Sequence, residues 1–233
     1  GAHQSVTRLE DDQLLRGQGR YIDDRAAEGA LWMALLRSPH AHARIAGVDV
    51  APARAMPGVV AVYTGAALVA ANVNPLPGPP PMFKRPDGAD MTVPPRRLLA
   101  HDVARFVGEP VAAVIAASRE AAYDALEAIA IEYEELPAVT DVREAAKPGA
   151  PRVWPDAADN FVAAHAYGDG PAVDAIFRSA AHVVSLDIMN QRLIPVALEP
   201  RAGLAETDET GRLILRTQSQ TPTTTRDILA GVL

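Results

Sequence analysis

The chain has 233 residues, 48% hydrophobic and 22% charged, which is enough apolar material for a sizeable core and excludes a disordered, charge-dominated segment. Its formal net charge of −7 excludes the broad basic surface that a sequence-independent grip on nucleic acid requires. With no cysteine there is no disulfide frame, thiol nucleophile or thiolate-bound metal, so a redox metal would have to be held by other groups or by an organic ligand.

Residues 1–18 read as an N-terminal extension without a basic-then-apolar secretion pattern, and a cytoplasmic setting is expected. Gly17 and Gly19 of "RGQGRYIDD" follow no strand and lack a third glycine in register, so they do not form a dinucleotide loop. "ALWMALLRS" and "IAGVDV" alternate as strands, "DVAPARAM" reads as a short helix capped by Asp49, and "VVAVYTG" as a strand ended by Gly65. Residues 72–95 hold eight of the 20 prolines, which removes backbone donors and predicts a long loop. "GEPVAAVIAAS" then gives a turn and a buried strand whose apolar core, Val111–Ala117, is far too short to span a bilayer. Ser118 is placed to cap a helix over Arg119–Ala130, with Ala122, Ala125, Leu126 and Ile129 on one face. "IEYEEL" alternates and is stopped by Pro137, so this part predicts a β-α-β unit inside a mixed α+β domain.

Residues 142–160, rich in Pro, Gly and Ala, read as a linker. Beyond it, "AVDAIFRSA" predicts a helix, "AHVVSLDIMN" a strand, and the segment from Arg201 to Thr217 a hairpin with Gly211 at a left-handed turn position. Thr221 is placed as an N-cap, with Pro222 at the first position of a last helix. An apolar face around Ile228, Leu229, Val232 and Leu233 is expected to stay uncovered, leaving the segment after about Ala163 loosely held.

His40 and His42 would share a strand face as two metal ligands, but no third ligand accompanies them, and a turn with hydrogen-bonded histidines is expected. The remaining histidines, including His3 and His101, are scattered, and Glu132 and Glu134 read as the solvated side of a strand. Gln218 and Gln220 differ in kind. An amide at a strand tip, directly before a helix N-terminus, suits an anionic or oxo ligand. Local physics alone does not separate that reading from a polar loop.

The stretches "SVTRLEDDQLLRGQGRYIDD", "ALLRSPHAHARIAGVDVAPARAMPGVVAVYTG", "FVGEPVAAVIAASREAAYDALEAIAIEYEELPAV", "GDGPAVDAIFRSAAHVVSLDIMNQRLIPVALEPR" and "TQSQTPTTTRDILAGVL" occur in an order and spacing that resembles one family. It is the molybdopterin-binding large subunits of the xanthine dehydrogenase, aldehyde oxidase and aerobic carbon monoxide dehydrogenase group, the molybdenum hydroxylases. The resemblance implies an α/β hammerhead domain over 19–141, the linker at 142–160 and the first β-rich segment of a molybdopterin-binding domain over 161–233. It implies molybdopterin with molybdenum, in the cytosine dinucleotide form, as cofactor of the complete enzyme and none on this chain alone. A family glutamine that hydrogen-bonds the metal's oxo group matches Gln220, followed by Thr221 and Pro222, with Gln218 as the alternative if the register slips by two. Glu199, Pro200 and Arg201 match the family's "EPR" bend, which supports the site, with Arg201 as a charge partner.

The resemblance covers roughly the first third of such a subunit. It implies that no catalytic base lies here, because the family's glutamate base belongs to the remaining polypeptide. It further implies iron–sulfur and FAD partner subunits and a small-molecule substrate such as an aldehyde or azaheterocycle, with no nucleic acid partner and no membrane insertion. The 233 residues alone are then expected to be inactive. The rival reading is a stand-alone, non-catalytic docking module built on the hammerhead fold.

Overall fold

The computed structural model describes residues 8–25, 27–191 and 193–233, so His3 and the start of the N-terminal extension lie outside the described residues. Two units divide the chain: the described residues of Gly1–Glu28 with Val184–Pro222, and Gly29–Val183 with Thr223–Leu233.

The first unit opens with helix α1 (Asp11–Leu15), followed by Gly17 at φ +67°, a backbone position where a Cβ would be penalised. That explains one glycine of "RGQGR": it ends a helix. A 3-10 turn at Ile22–Asp24 follows, in which the Asp24 carboxylate accepts the Tyr21 N–H at 2.9 Å.

The second unit holds β1 (Trp32–Arg37), β2 (Ala43–Asp49), α2 (Ala51–Arg54), β3 (Val59–Thr64), α3 (Gly65–Ala70), β4 (Val103–Ala104), β5 (Pro110–Ala116), α4 (Arg119–Glu127), β6 (Ala130–Glu135), α5 (Val142–Ala145) and α6 (Gly170–Ser179). One antiparallel sheet has the order β1-β5-β3 and the other β4-β2-β6. β5 is central in its sheet, as its near-continuous small and apolar sequence requires. Ala112, Val114 and Ala116 of β5, Ala34 of β1 and Val62 of β3 form one core with Ala122, Ala125 and Ile129 from α4 and the residues after it. Alanine at the contact lets the helix lie close to the sheet, and the Ser118 hydroxyl starts it by accepting the Ala121 N–H at 3.1 Å.

Two expectations are corrected here, and a third is extended. β5 and β6, which flank α4, lie in different sheets, so this helix links two sheets and does not cross over between parallel neighbours. Val50, not Asp49, occupies the N-cap of α2, while the Asp49 carboxylate accepts the Ala51 N–H at 2.9 Å. Gly65 ends β3 but also begins α3, capped by Thr64, and a Cβ there would stand 2.0 Å from the Ala100 carbonyl oxygen.

The proline-rich segment forms no continuous strand or helix, yet it is fastened. Arg85, buried, donates to Thr92 Oγ1 at 3.0 Å, to Asp159 Oδ1 at 2.8 Å and to the Phe161 carbonyl. The Thr92 N–H donates to Val162 O at 2.9 Å, and the Ala164 N–H to Lys84 O at 2.7 Å. At the stretch read as a linker, Asp141 just before it caps α5, and the Asn160 side chain donates to the carbonyls of Ala145 and Pro151.

Helix α6 is capped by Asp169, but residues 181–190, read as a strand, form none among the described residues. β7 (Gly203–Thr207) and β8 (Leu213–Thr217) make the expected hairpin in the first unit, with Gly211 at φ +82° in its turn. α7 (Pro222–Val232) follows. Its end is not uncovered as expected: Val232 is buried, Ile228 and Leu229 are half-buried, and only Leu233 stays open. Asn74 holds that end, donating from its backbone to Val232 O at 3.0 Å and from Nδ2 to Gly231 O at 3.1 Å.

Candidate functional site

The hairpin carries the candidate site, and its turn is built by one carboxylate. Asp208 accepts the Thr210 N–H at 2.9 Å, the Thr210 hydroxyl at 2.6 Å and the Arg212 N–H at 3.0 Å. These bonds, the Thr210 hydroxyl foremost, hold its carboxyl below the usual carboxylate range. From there the ladder pairs Thr207 with Leu213 and ends at Gly203 opposite Thr217.

Past Thr217 the two glutamines part. Gln218 is half-buried and its amide is engaged at both ends, Nε2 donating to Pro200 O at 2.9 Å and Oε1 accepting the Ala202 N–H at 3.4 Å. Gln220 is exposed and its amide makes no hydrogen bond with a described residue. Between them the Ser219 hydroxyl accepts the Thr221 N–H at 3.1 Å, which turns the chain where the strand ends. Thr221 stands immediately before the first residue of α7. An amide offers a donor and an acceptor and does not titrate, so Gln220 presents the same hydrogen-bonding face at any ordinary pH.

The bend at Glu199, Pro200 and Arg201 lies in the same unit. Glu199 Oε1 accepts the Ile22 N–H at 3.4 Å, so this acid ties down backbone. Arg201 is exposed and has no ion pair with a described residue. A broad open cleft of about 890 Å³ in this unit is faced by Arg20, Arg25 and Arg216 and by Asp24, Glu28 and Glu206. The opposed charges balance, so it is no anion trap.

His40 and His42 sit in the turn between β1 and β2, each with a partner. His40 Nδ1 lies 3.3 Å from Glu135 Oε1 and its ring packs on Tyr133, while His42 Nδ1 lies 2.8 Å from Pro137 O. No group of three metal-ligating side chains occurs among the described residues. Glu134 pairs with Arg44 across the sheet. Sequence reading did not foresee that Gln218 would be consumed by the bend opposite it. The signal was Gln218 one residue past a five-pair ladder, with Pro200, which has no N–H, three residues before the opposite strand begins.

For the group a redox site of this kind would hold, the donor set fits. A free, exposed primary amide is suited to an oxygen-rich organic cofactor that brings its own metal ligands, and less suited to a bare metal ion.

Comparison with known proteins agrees with the resemblance seen in the sequence. Residues 16–137 match the family described as aldehyde oxidase and xanthine dehydrogenase, a/b hammerhead domain, and residues 153–233 match the molybdopterin cofactor-binding domain. The chain is 38% identical over 222 residues to the nicotine 6-hydroxylase large subunit of Paenarthrobacter nicotinovorans, covering 93% of this chain and 26% of that protein. It is 33% identical to the carbon monoxide dehydrogenase large chain of Afipia carboxidovorans, covering 96% and 28%. Among solved structures, quinoline 2-oxidoreductase from Pseudomonas putida 86 superposes with a TM-score of 0.81 at 40% identity, covering 98% of this chain and 28% of that one. The chain thus spans about a quarter of the length of these relatives. It belongs to the molybdenum hydroxylase large subunits, as an α/β hammerhead domain followed by part of a molybdopterin-binding domain.

Proposed function

We propose that this chain is part of the molybdopterin-binding subunit of an enzyme that oxidises a small organic molecule, an aldehyde, an azaheterocycle or a similar compound, with oxygen derived from water. The observation that supports it is the free amide of Gln220 at the tip of β8, within the stretch that matches the cofactor-binding domain. When bound, the molybdopterin, in its cytosine dinucleotide form, supplies the two-electron chemistry at molybdenum. Gln220 donates from Nε2 to an oxygen of the cofactor, a fixed dipole that needs no reorganisation as charge develops. Thr221, next to it in sequence, belongs to the same cofactor-binding stretch.

No residue of this chain takes the role of general base, which falls to polypeptide beyond these 233 residues. The hammerhead domain spans 19–141, a connecting stretch 142–160, and the cofactor-binding part 161–233. Iron–sulfur and FAD subunits carry the electrons away, in a cytoplasmic assembly. No described helix is long and apolar enough to cross a membrane.

Metal analysis tests this reading. The purified 233-residue chain is expected to hold no molybdenum and to reduce no dye with aldehydes or azaheterocycles. Produced together with the polypeptide that completes the subunit, it is expected to carry molybdenum and turn over. Stoichiometric metal and turnover on the chain alone would overturn the division of labour, and failure of the completed subunit to take up molybdenum would overturn the whole reading.

A further inference from the structure

Resting on the cofactor-facing reading of Gln220, we propose that Gln218 is a positioning residue: its amide locks the Glu199–Ala202 bend onto the end of β8 and so fixes where Gln220 stands. The backbone ladder of the hairpin stops at Gly203 opposite Thr217. The next pair in register would be Ala202 with Gln218, but the Ala202 N–H goes to the Gln218 side chain instead of its backbone. Side chains take over at that point. Thr217 Oγ1 donates to Ala202 O at 2.9 Å, Gln218 Nε2 donates to Pro200 O at 2.9 Å, and Gln218 Oε1 accepts the Ala202 N–H at 3.4 Å.

A primary amide carries its donor and acceptor in one plane, as a peptide group does, so Gln218 imitates one more rung of the ladder. Pro200 is the junction of a longer tie. Glu199, its neighbour, accepts the Ile22 N–H, so one line of contacts runs from the N-terminal 3-10 turn through the bend to Gln218. Two residues on, Gln220 is exposed and uncommitted. The first amide is spent holding the bend. The second is thereby placed and left free.

Two substitutions test this in the 233-residue chain, with no cofactor needed. Gln218→Met keeps length and removes both bonds. Hydrogen exchange at the Ala202 amide is expected to quicken about tenfold, the loss of one to two hydrogen bonds, and the side-chain amide resonance of Gln220 is expected to move. Gln218→Glu keeps an acceptor for Ala202 but faces the Pro200 carbonyl with a carboxylate. Only its protonated form can donate there, so the new carboxyl is expected to titrate above the ordinary glutamate range and the Gln220 resonance to return toward its original position on acidification.

Unchanged exchange in the methionine variant, or faster exchange with an unmoved Gln220 resonance, would overturn the proposal, as would an ordinary titration of the new carboxyl. These readouts involve no molybdenum. Their failure is therefore separate from a failure of the cofactor-facing reading, which turns on turnover.

Discussion

Gly65 and Arg85 show how single residues set the frame in this chain. A methyl group at Gly65 would fall 2.0 Å from the Ala100 carbonyl, so backbone has to shift to admit it. Gly65→Ala is expected to lower the urea midpoint by an amount equivalent to about 3 kcal/mol with an unchanged slope. Arg85 sits at the centre of the proline-rich loop, and its bond to Asp159 is the main cause that holds the Asp159 carboxyl below the usual carboxylate range, the Phe161 N–H adding to it. A depressed carboxyl contributes stability that is fully present above its unfolded value, near pH 4, and is lost as pH falls through the lower folded value. Stability measured against pH should therefore decline below about pH 4, and Arg85→Met should flatten that part of the decline. The two glutamines were legible as amides at a strand tip from the sequence alone. Which of them is engaged was not, because that depends on Pro200 and Ala202 standing opposite, a matter of hairpin register.

Elements with a clear period were the easiest to read. β1, β3, β5 and α4 follow their apolar patterns, and α4 begins directly after Ser118 because its hydroxyl meets the Ala121 N–H. Ser118→Ala should cost about 1 kcal/mol in the same denaturation measurement, and a much smaller loss would mean that the helix start is held by packing alone. What the pattern could not supply was partnership. A strand's alternation records which face is buried but not which neighbour it pairs with, so β5 and β6 read as one unit although they belong to separate sheets. α3, with six residues, is too short for a helical period to show. Residues 181–190 carry a strand pattern but pair with no described strand, and strand structure requires a neighbour's N–H and C=O groups.

Across the whole chain, order is uneven in a way that can be measured. Val184, Leu186 and Ile188 are 91%, 80% and 74% exposed in a stretch without regular structure, whereas the core around β5 and α4 is closed. Limited proteolysis is expected to cut first within residues 181–198 and to leave the hammerhead core, because cleavage follows local opening. Equal resistance of both regions would contradict this. The end of α7, by contrast, is held by Asn74 and should resist cleavage longer than residues 181–198. The proposed cofactor role rests on one exposed amide, and the measurement that bears on it most directly is turnover per molybdenum in the completed enzyme carrying Gln220→Leu. Molybdenum content equal to the unaltered enzyme, with turnover lowered about 100-fold, is the predicted result. Turnover within about twofold of the unaltered enzyme at the same metal content would contradict it.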